Sequence, residues 1–175
     1  MELWDVVDEN RKPIGKLHTR GVALPSGEFH IVVEIFTINQ DGSILLTQRD
    51  PLKTHPLLWE TTGGSLTAGE TSAIGALREL EEETGLKAAE EELIKLGEQK
   101  INSYFRDSYI WKSSRLFTSA DLSLQSGEVC DAKFVSFAEF EQMHAEGLMI
   151  PSLWERYKQY QNEIEHIIGI AEKRV

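Results

Sequence analysis

The chain concentrates groups able to do chemistry in the stretch GGSLTAGETSAIGALRELEEETGL, residues 63–86. On a helix, side chains three and four positions apart share a face, which predicts that Glu79, Glu82 and Glu83 project together. The intervening Glu81 then points away from them. Like charges at this spacing repel by roughly 0.2–0.5 kcal/mol per pair. The cluster therefore has two explanations: a solvated acidic face, or a site for divalent cations such as Mg²⁺ and Mn²⁺, which prefer oxygen ligands.

Neighbouring residues favour the cation site. Arg78 can hold a carboxylate in orientation through its fork of N–H donors. Gly63 and Gly64 allow unusual backbone angles just before the helix, so their carbonyl groups could turn inward as further oxygen ligands. Gly85 occupies the place of a left-handed residue that ends a helix.

The spacing of these residues resembles a known family motif. The sequence runs Gly64, five residues, Glu70, seven residues, and then RELEEETGL. This is similar to the Nudix box, GX5EX7REUXEEXGU with U an aliphatic residue, and every fixed position is filled. The resemblance implies an α/β fold, namely an α/β/α sandwich with a mixed β-sheet. It also implies an enzyme that hydrolyses a nucleoside diphosphate linked to another group, using Mg²⁺ or Mn²⁺.

The resemblance implies a role for each matching residue. Metal ions would bridge two phosphates, neutralise developing charge and lower the pKa of a bound water. The expected metal ligands are Glu79, Glu82 and Glu83, with the Gly63 carbonyl as a further ligand. Arg78 would orient Glu79 in the catalytic set, while Gly64, Glu70 and Gly85 would be structural.

The segments WDVVDENRKPIGKLHTRG, FHIVVEIF, LLTQRDPLKTHPLLW and PSLW are similar to type I isopentenyl-diphosphate isomerases and their hydrolase relatives. That resemblance implies that Arg49 and Lys53 hold a diphosphate, although both could also be solvated loop charges. Gly63 stands where the isomerases have their catalytic cysteine, and Ser65 where they have a third metal-binding histidine. Hydrolysis is therefore favoured, with isomerisation or a non-catalytic nucleotide-binding module as alternatives. With one histidine missing, we expect structural roles for His18 and His30.

The general base is either a box glutamate or a carboxylate before a late strand. Glu128 in SGEVCDAKF is the preferred candidate, followed by Asp131, and either could instead be a surface acid. Between them, Cys130 is expected to be a small buried side chain. Four aromatic residues could stack on a nucleobase, although such residues are more often part of a core: Trp59, Tyr104, Phe105 and Trp111.

The composition of the chain restricts the classes of partner that we expect it to bind. A net charge of -11 over 175 residues argues against nucleic acid as the main partner, and divalent cations would let an acidic protein meet a small anionic substrate of the nucleoside diphosphate type. A single cysteine, no signal peptide and no apolar run of membrane-spanning length predict a soluble cytoplasmic protein without a membrane partner. We expect a single domain over residues 1–175, with a C-terminal helix whose apolar face is compatible with a homodimer or a monomer.

The predicted elements that position these residues are strands and helices in mixed order. Helix 71–84 is expected to bury Ala73, Leu77, Leu80 and Thr84 along one side. A longer helix is predicted from Ser152 to about Lys173, preceded by a short one in AEFEQMHAEGL. The predicted strands lie in LWDVVD, HIVVEIFTIN, SILLTQR, RDSYIWKSSRLFTSAD and DAKFVSF, the last at a sheet edge.

Overall fold

A computed structural model describes residues 2–170 of the chain. The helices are α1 (Ser72–Thr84), α2 (Phe137–Ala145), α3 (Pro151–Gln159) and α4 (Gln161–Ile168). The strands are β1 (Leu3–Val7), β2 (Pro13–Thr19), β3 (His30–Ile38), β4 (Ile44–Arg49), β5 (Trp59–Glu60), β6 (Thr62–Ser65), β7 (Leu93–Ile101), β8 (Tyr104–Lys112) and β9 (Val129–Val135).

The larger sheet is mixed. Its strand order is β5-β4-β3-β8-β7, with β6 also pairing with β3, and β9 with β4. β3 and β8 are parallel, whereas the other pairs are antiparallel. The hairpin of β1 and β2 forms a separate two-stranded sheet. The strands predicted in LWDVVD, HIVVEIFTIN and SILLTQR are confirmed, and β9 is an edge strand that pairs with β4.

Helices cover both faces of this sheet. Alternation along β3 sends Val33 and Ile35 into a core with Leu80 of α1. Phe36 and Ile38 point to the opposite face, where they join a second core with helices α2, α3 and α4. The α/β/α sandwich that the sequence predicts is therefore confirmed.

Helix α1 is the element that carries the glutamates. The Thr71 side chain caps its start by accepting a hydrogen bond from the Ile74 N–H at 3.3 Å. At its end, Gly85 has φ 75° and donates its N–H to the Glu81 carbonyl at 2.7 Å. The predicted bounds are thus confirmed, but Leu77 is only half-buried, because Ala76 takes the central place in the buried face.

The long C-terminal helix predicted from Ser152 is wrong. The chain forms α3 and α4 with a break at Tyr160, whose φ of -112° and ψ of 24° leave the helical region. The Tyr160 ring packs against Gly97 of β7, and the break lets Leu153 and Ile164 both reach the core. α4 ends at Gly169, and Lys173 lies outside the described residues. Within residues 2–170, no helix is long and apolar enough to cross a membrane.

Candidate active site

A cavity of about 290 Å³ lies where α1 faces β6, and we call it the acidic cavity. Three cationic side chains line it: Arg20, Lys53 and Arg78. Five carboxylates line it as well: Glu2, Glu79, Glu82, Glu83 and Glu128. Among the described residues, carboxylates therefore outnumber cationic side chains by two in this cavity. The three predicted ligands on α1, Glu79, Glu82 and Glu83, meet in this cavity, whereas Glu81 pairs with exposed Lys87 outside it.

Close approach of backbone and carboxylates explains the two glycines in β6. A Cβ at Gly63 would lie 2.3 Å from the Val33 carbonyl oxygen of the paired strand. A Cβ at Gly64 would lie 2.3–2.6 Å from the Glu79 carboxylate. Neither glycine has a positive φ, so the predicted use of unusual backbone angles is wrong. At Gly63 no side chain fits against the backbone of β3, whereas at Gly64 a side chain would displace the Glu79 carboxylate.

Glu83 is the most deeply buried carboxylate of the cavity, with 4% of its surface exposed. It accepts a hydrogen bond from the Gly63 N–H at 3.3 Å. Burial raises its pKa well above the ordinary value, and the charges of Glu60 and Glu79 add to this. Burial also raises the pKa of Glu79, partly offset by Arg78. A nearby positive ion would stabilise the charged form of these buried carboxylates.

Arg78 organises the acidic side of the cavity. Its Nε donates to Glu70 at 2.7 Å, and its Nη1 donates to both Glu79 and Glu82 at 2.9 Å. The hydrogen bonds with Glu70 raise the pKa of Arg78, so the guanidinium stays charged. Glu70 also accepts the Thr67 N–H at 2.8 Å, which ties the loop before α1 to Arg78.

The same contacts keep the three glutamates apart from one another. Among residues 2–170, no three acidic, histidine or cysteine side chains are placed so that they could ligate one ion together. Arg78 occupies the space between Glu79 and Glu82, while Glu83 lies behind them against Gly63. The predicted ligands therefore share one cavity, but they are not preassembled around a cation.

The two predicted phosphate contacts lie in different cavities. Lys53 lines the acidic cavity and forms an ion pair with Glu128. Arg49 instead lines an adjoining cavity, where it pairs with Glu60. Of the two candidate bases, Glu128 lines the acidic cavity, whereas Asp131 bonds the Ala132 N–H at 2.8 Å and does not line it.

Other predicted residues lie away from the acidic cavity. His18 is buried with its Nε2 2.9 Å from the Val22 carbonyl oxygen. His30 stacks on Trp4 with ring centroids 4.2 Å apart, and burial lowers its pKa to about 4. Neither histidine lines the acidic cavity, which agrees with structural roles. The prediction that Cys130 is buried is wrong, because it is exposed on the edge strand β9.

Of the four aromatic residues that could stack on a nucleobase, three lie in hydrophobic cores and one lines a cavity. Trp59, Phe105 and Trp111 are at most 8% exposed and belong to the hydrophobic cores. Tyr104 lines the cavity that adjoins the acidic cavity.

Sequence reasoning missed Glu2 and Arg20. Arg20 follows β2, and its Nη1 donates to Glu2 at 2.8 Å while its Nη2 lies 3.9 Å from Glu128. These residues precede the box by more than 40 positions, and the β1–β2 hairpin carries them to the cavity. Glu2 directly precedes the strand predicted in LWDVVD, and Arg20 lies in the segment WDVVDENRKPIGKLHTRG that resembles the isomerases, but neither signal points to a cavity residue.

Comparisons with known proteins agree with this geometry. The NUDIX domain profile matches residues 28–153. An uncharacterised Nudix hydrolase of Listeria monocytogenes is 36% identical over 157 residues, covering 86% of this chain and 89% of the relative. An isopentenyl-diphosphate Δ-isomerase of Streptomyces avermitilis is 30% identical over 150 residues, covering 82% of this chain and 75% of the relative.

The fold has solved counterparts. The crystal structure of DR0079 from Deinococcus radiodurans matches with a TM-score of 0.71 at 20% identity, covering 90% of this chain and 98% of that chain. At 20% identity this match shows the fold alone. The NUDIX domain profile and the Listeria relative show the family. The complete box, its placement on α1 and these matches together show that the chain belongs to the Nudix hydrolase family.

Proposed function

We propose that this protein hydrolyses the phosphoanhydride linkage of a diphosphate derivative in the acidic cavity, with Mg²⁺ or Mn²⁺ as cofactor. The observation that supports this most strongly is that carboxylates outnumber cationic side chains by two in this cavity, and that one of these carboxylates, Glu83, is only 4% exposed. Burying a carboxylate in such surroundings is unfavourable unless a cation compensates it. An anionic substrate would also be repelled from this cavity unless cations accompanied it.

The donor set fits a hard divalent cation. Glu79, Glu82 and Glu83 offer only oxygen atoms, and Gly63 could add a carbonyl oxygen. When bound, such an ion would neutralise charge on the diphosphate and lower the pKa of a coordinated water. Arg78 bonds one oxygen of Glu79 and one of Glu82, so the second oxygen of each carboxylate would remain for the ion. Arg78 would keep Glu79 in orientation and thus acts as a positioning residue.

The remaining side chains of the cavity suit the substrate and the water. Lys53 and Arg20 are the cations that could bind phosphate oxygens. In the reaction, a water oxygen forms a bond to one phosphorus while the bridging P–O bond breaks, which yields two phosphate products. Glu128, which pairs with Lys53 and lies 3.9 Å from the Arg20 Nη2, would accept the proton of that water.

Isomerisation of a five-carbon diphosphate is disfavoured by the structure around Gly63. The similarity to an isomerase is real, but Gly63 carries no thiol. Because a Cβ there would lie 2.3 Å from the Val33 carbonyl oxygen, no side chain could supply an acid from this position.

Activity of matched variants tests the proposed function. Glu82→Gln or Glu83→Gln should reduce the turnover of the preferred diphosphate by about 100-fold or more, because each removes a metal ligand. Glu81→Gln is the control, since Glu81 lies on the same helix but pairs with Lys87 outside the cavity. Release of phosphate or nucleoside monophosphate would be measured over a panel of diphosphates with Mg²⁺ and Mn²⁺. Equal turnover in folded Glu82 and Glu83 variants would refute the assigned roles.

A further inference from the structure

A second cavity adjoins the acidic cavity across β6. It has a volume of about 240 Å³, and Gly63 and Gly64 form part of the wall of both cavities. We call it the arginine cavity, because three arginines line it: Arg49, Arg106 and Arg156. The two cavities are therefore immediate neighbours, and a ligand group in the arginine cavity would lie close to a diphosphate held against Gly63 and Gly64.

Two of these arginines already have carboxylate partners. Arg49 pairs with Glu60, and Arg156 pairs with Glu34, which is 4% exposed. Among residues 2–170, Glu34 and Glu60 are the only carboxylates that line the arginine cavity. The cavity thus has three positive charges against two negative ones, within a protein of net charge -11.

Arg106 provides the positive charge that no carboxylate of the arginine cavity balances. It is 7% exposed, and within residues 2–170 it takes part in no ion pair. Its Nη2 donates to the Tyr104 hydroxyl at 3.0 Å, and its guanidinium lies 5.7 Å from the centre of the Tyr104 ring. A guanidinium has five N–H donors. Among the described residues, several side-chain nitrogen and oxygen atoms are fully buried without a hydrogen-bond partner, and no atom of Arg106 is one of them. Its other donors are therefore accessible from the cavity.

A buried arginine without a carboxylate partner is unusual, because charged groups are seldom buried unless they are paired. A further cavity of about 310 Å³ continues the arginine cavity and also has Arg106 in its wall. The carboxylate that this extension adds, Glu155, is exposed and therefore screened by water. The missing partner of Arg106 is best supplied by a ligand.

We propose that the arginine cavity binds a second anionic group of the substrate, a carboxylate or a phosphate, through Arg106. This inference rests on the proposed function and names its substrate class: a diphosphate whose linked group is itself acidic, rather than a neutral alcohol. A guanidinium fork matches either anion with two parallel hydrogen bonds.

The sheet sets the distance between the two anionic parts. Ser65 of β6 pairs with Val32 of β3, and Val32 pairs with Arg106 of β8. Arg106 therefore lies two strand spacings, about 10 Å, from the strand that carries Gly64. Since the arginine side chain points into the cavity, the second anion would be several ångströms from the diphosphate, about the length of one sugar.

Matched pairs of diphosphates test this inference. UDP-glucuronate and UDP-glucose differ by a carboxylate, and NADP⁺ and NAD⁺ differ by a phosphate. We expect kcat/KM to be at least tenfold higher for the acidic member of one pair, and that pair identifies the anion. Arg106→Gln should remove this preference mainly through KM, and Arg106→Lys should keep part of it. Arg115→Gln is the control, because Arg115 is 68% exposed and pairs with Asp121 outside both cavities.

Binding without metal separates this inference from the proposed function. In EDTA both members should bind more weakly, because no cation offsets the charge of the acidic cavity. Titration calorimetry should still show tighter binding of the acidic member to the wild-type protein, and equal binding of both members to Arg106→Gln. Wild-type protein that does not prefer the acidic member of either pair, in turnover or in binding, would overturn the inference even if it hydrolyses diphosphates. Absence of hydrolysis with Mg²⁺ and Mn²⁺ would instead contradict the proposed function, while the calorimetry would still decide the role of Arg106.

Discussion

The buried carboxylate of Glu83 lowers the stability of the folded protein, and its role in the proposed metal site accounts for its presence. Its carboxylate is almost fully buried, its single hydrogen bond comes from the Gly63 N–H, and other carboxylates lie nearby. Its folded-state pKa is therefore raised above the unfolded value. A raised pKa means that the folded protein holds a proton that the unfolded chain releases, so stability falls as the pH rises through the folded-state pKa.

Glu83→Gln should consequently have opposite effects on stability and activity. In EDTA at pH 8, we expect the variant to have a free energy of unfolding on the order of 1 kcal/mol higher than the wild type. The amide keeps an acceptor for the Gly63 N–H but carries no charge. Thermal unfolding between pH 5 and pH 8 would show a smaller loss of stability with rising pH. A variant less stable than the wild type across this range would contradict the account, and Glu81→Gln serves as the exposed control.

At the scale of elements, the contact between α1 and β6 forms the site. β6 is held by β3, whose Val33 and Glu34 pair with Gly64 and Gly63. On its other side, the Glu79 carboxylate of α1 lies against Gly64. The strand therefore passes between a rigid backbone and a flexible side chain.

The two glycines of β6 should respond differently to an added methyl group. Gly63→Ala meets the Val33 backbone and should destabilise the protein by about 1–3 kcal/mol, the usual cost of overpacking. Gly64→Ala meets the end of the Glu79 side chain, which can move, so it should lose activity with a smaller loss of stability. Denaturant unfolding and turnover of the preferred diphosphate would be compared. Equal destabilisation by both substitutions would show that the two contacts do not differ in this way.

Elements with local signals were predictable from the sequence, whereas those set by distant packing were not. Helix α1 has a capping threonine, a terminal glycine and a complete motif, and its bounds were correct to within one residue. The break at Tyr160 depends on packing against Gly97 of a distant strand, and no proline or glycine marks it. The role of Gly63 was misjudged for the same reason, because only the folded sheet reveals how near Val33 lies.

At the scale of the whole molecule, the sheet places two cavities of opposite charge on either side of one strand. The acidic cavity has an excess of two negative charges, and the arginine cavity an excess of one positive charge. The net charge of the chain predicts that cations are needed for an anionic substrate to bind, but it does not distinguish the acidic cavity from the arginine cavity. Arg20 and Arg106 come from distant parts of the chain, and no local spacing relates them to the box.

The central claim is that three glutamates of one helix bind a divalent cation in the acidic cavity. Titration with Mn²⁺, followed by the electron paramagnetic resonance signal of the free ion, tests this most directly. We expect saturable binding to the wild-type protein and to Glu81→Gln, and affinity at least about tenfold weaker for Glu79→Gln, Glu82→Gln and Glu83→Gln. Absence of saturable binding to the wild type, or unchanged affinity in all three folded variants, would contradict the claim.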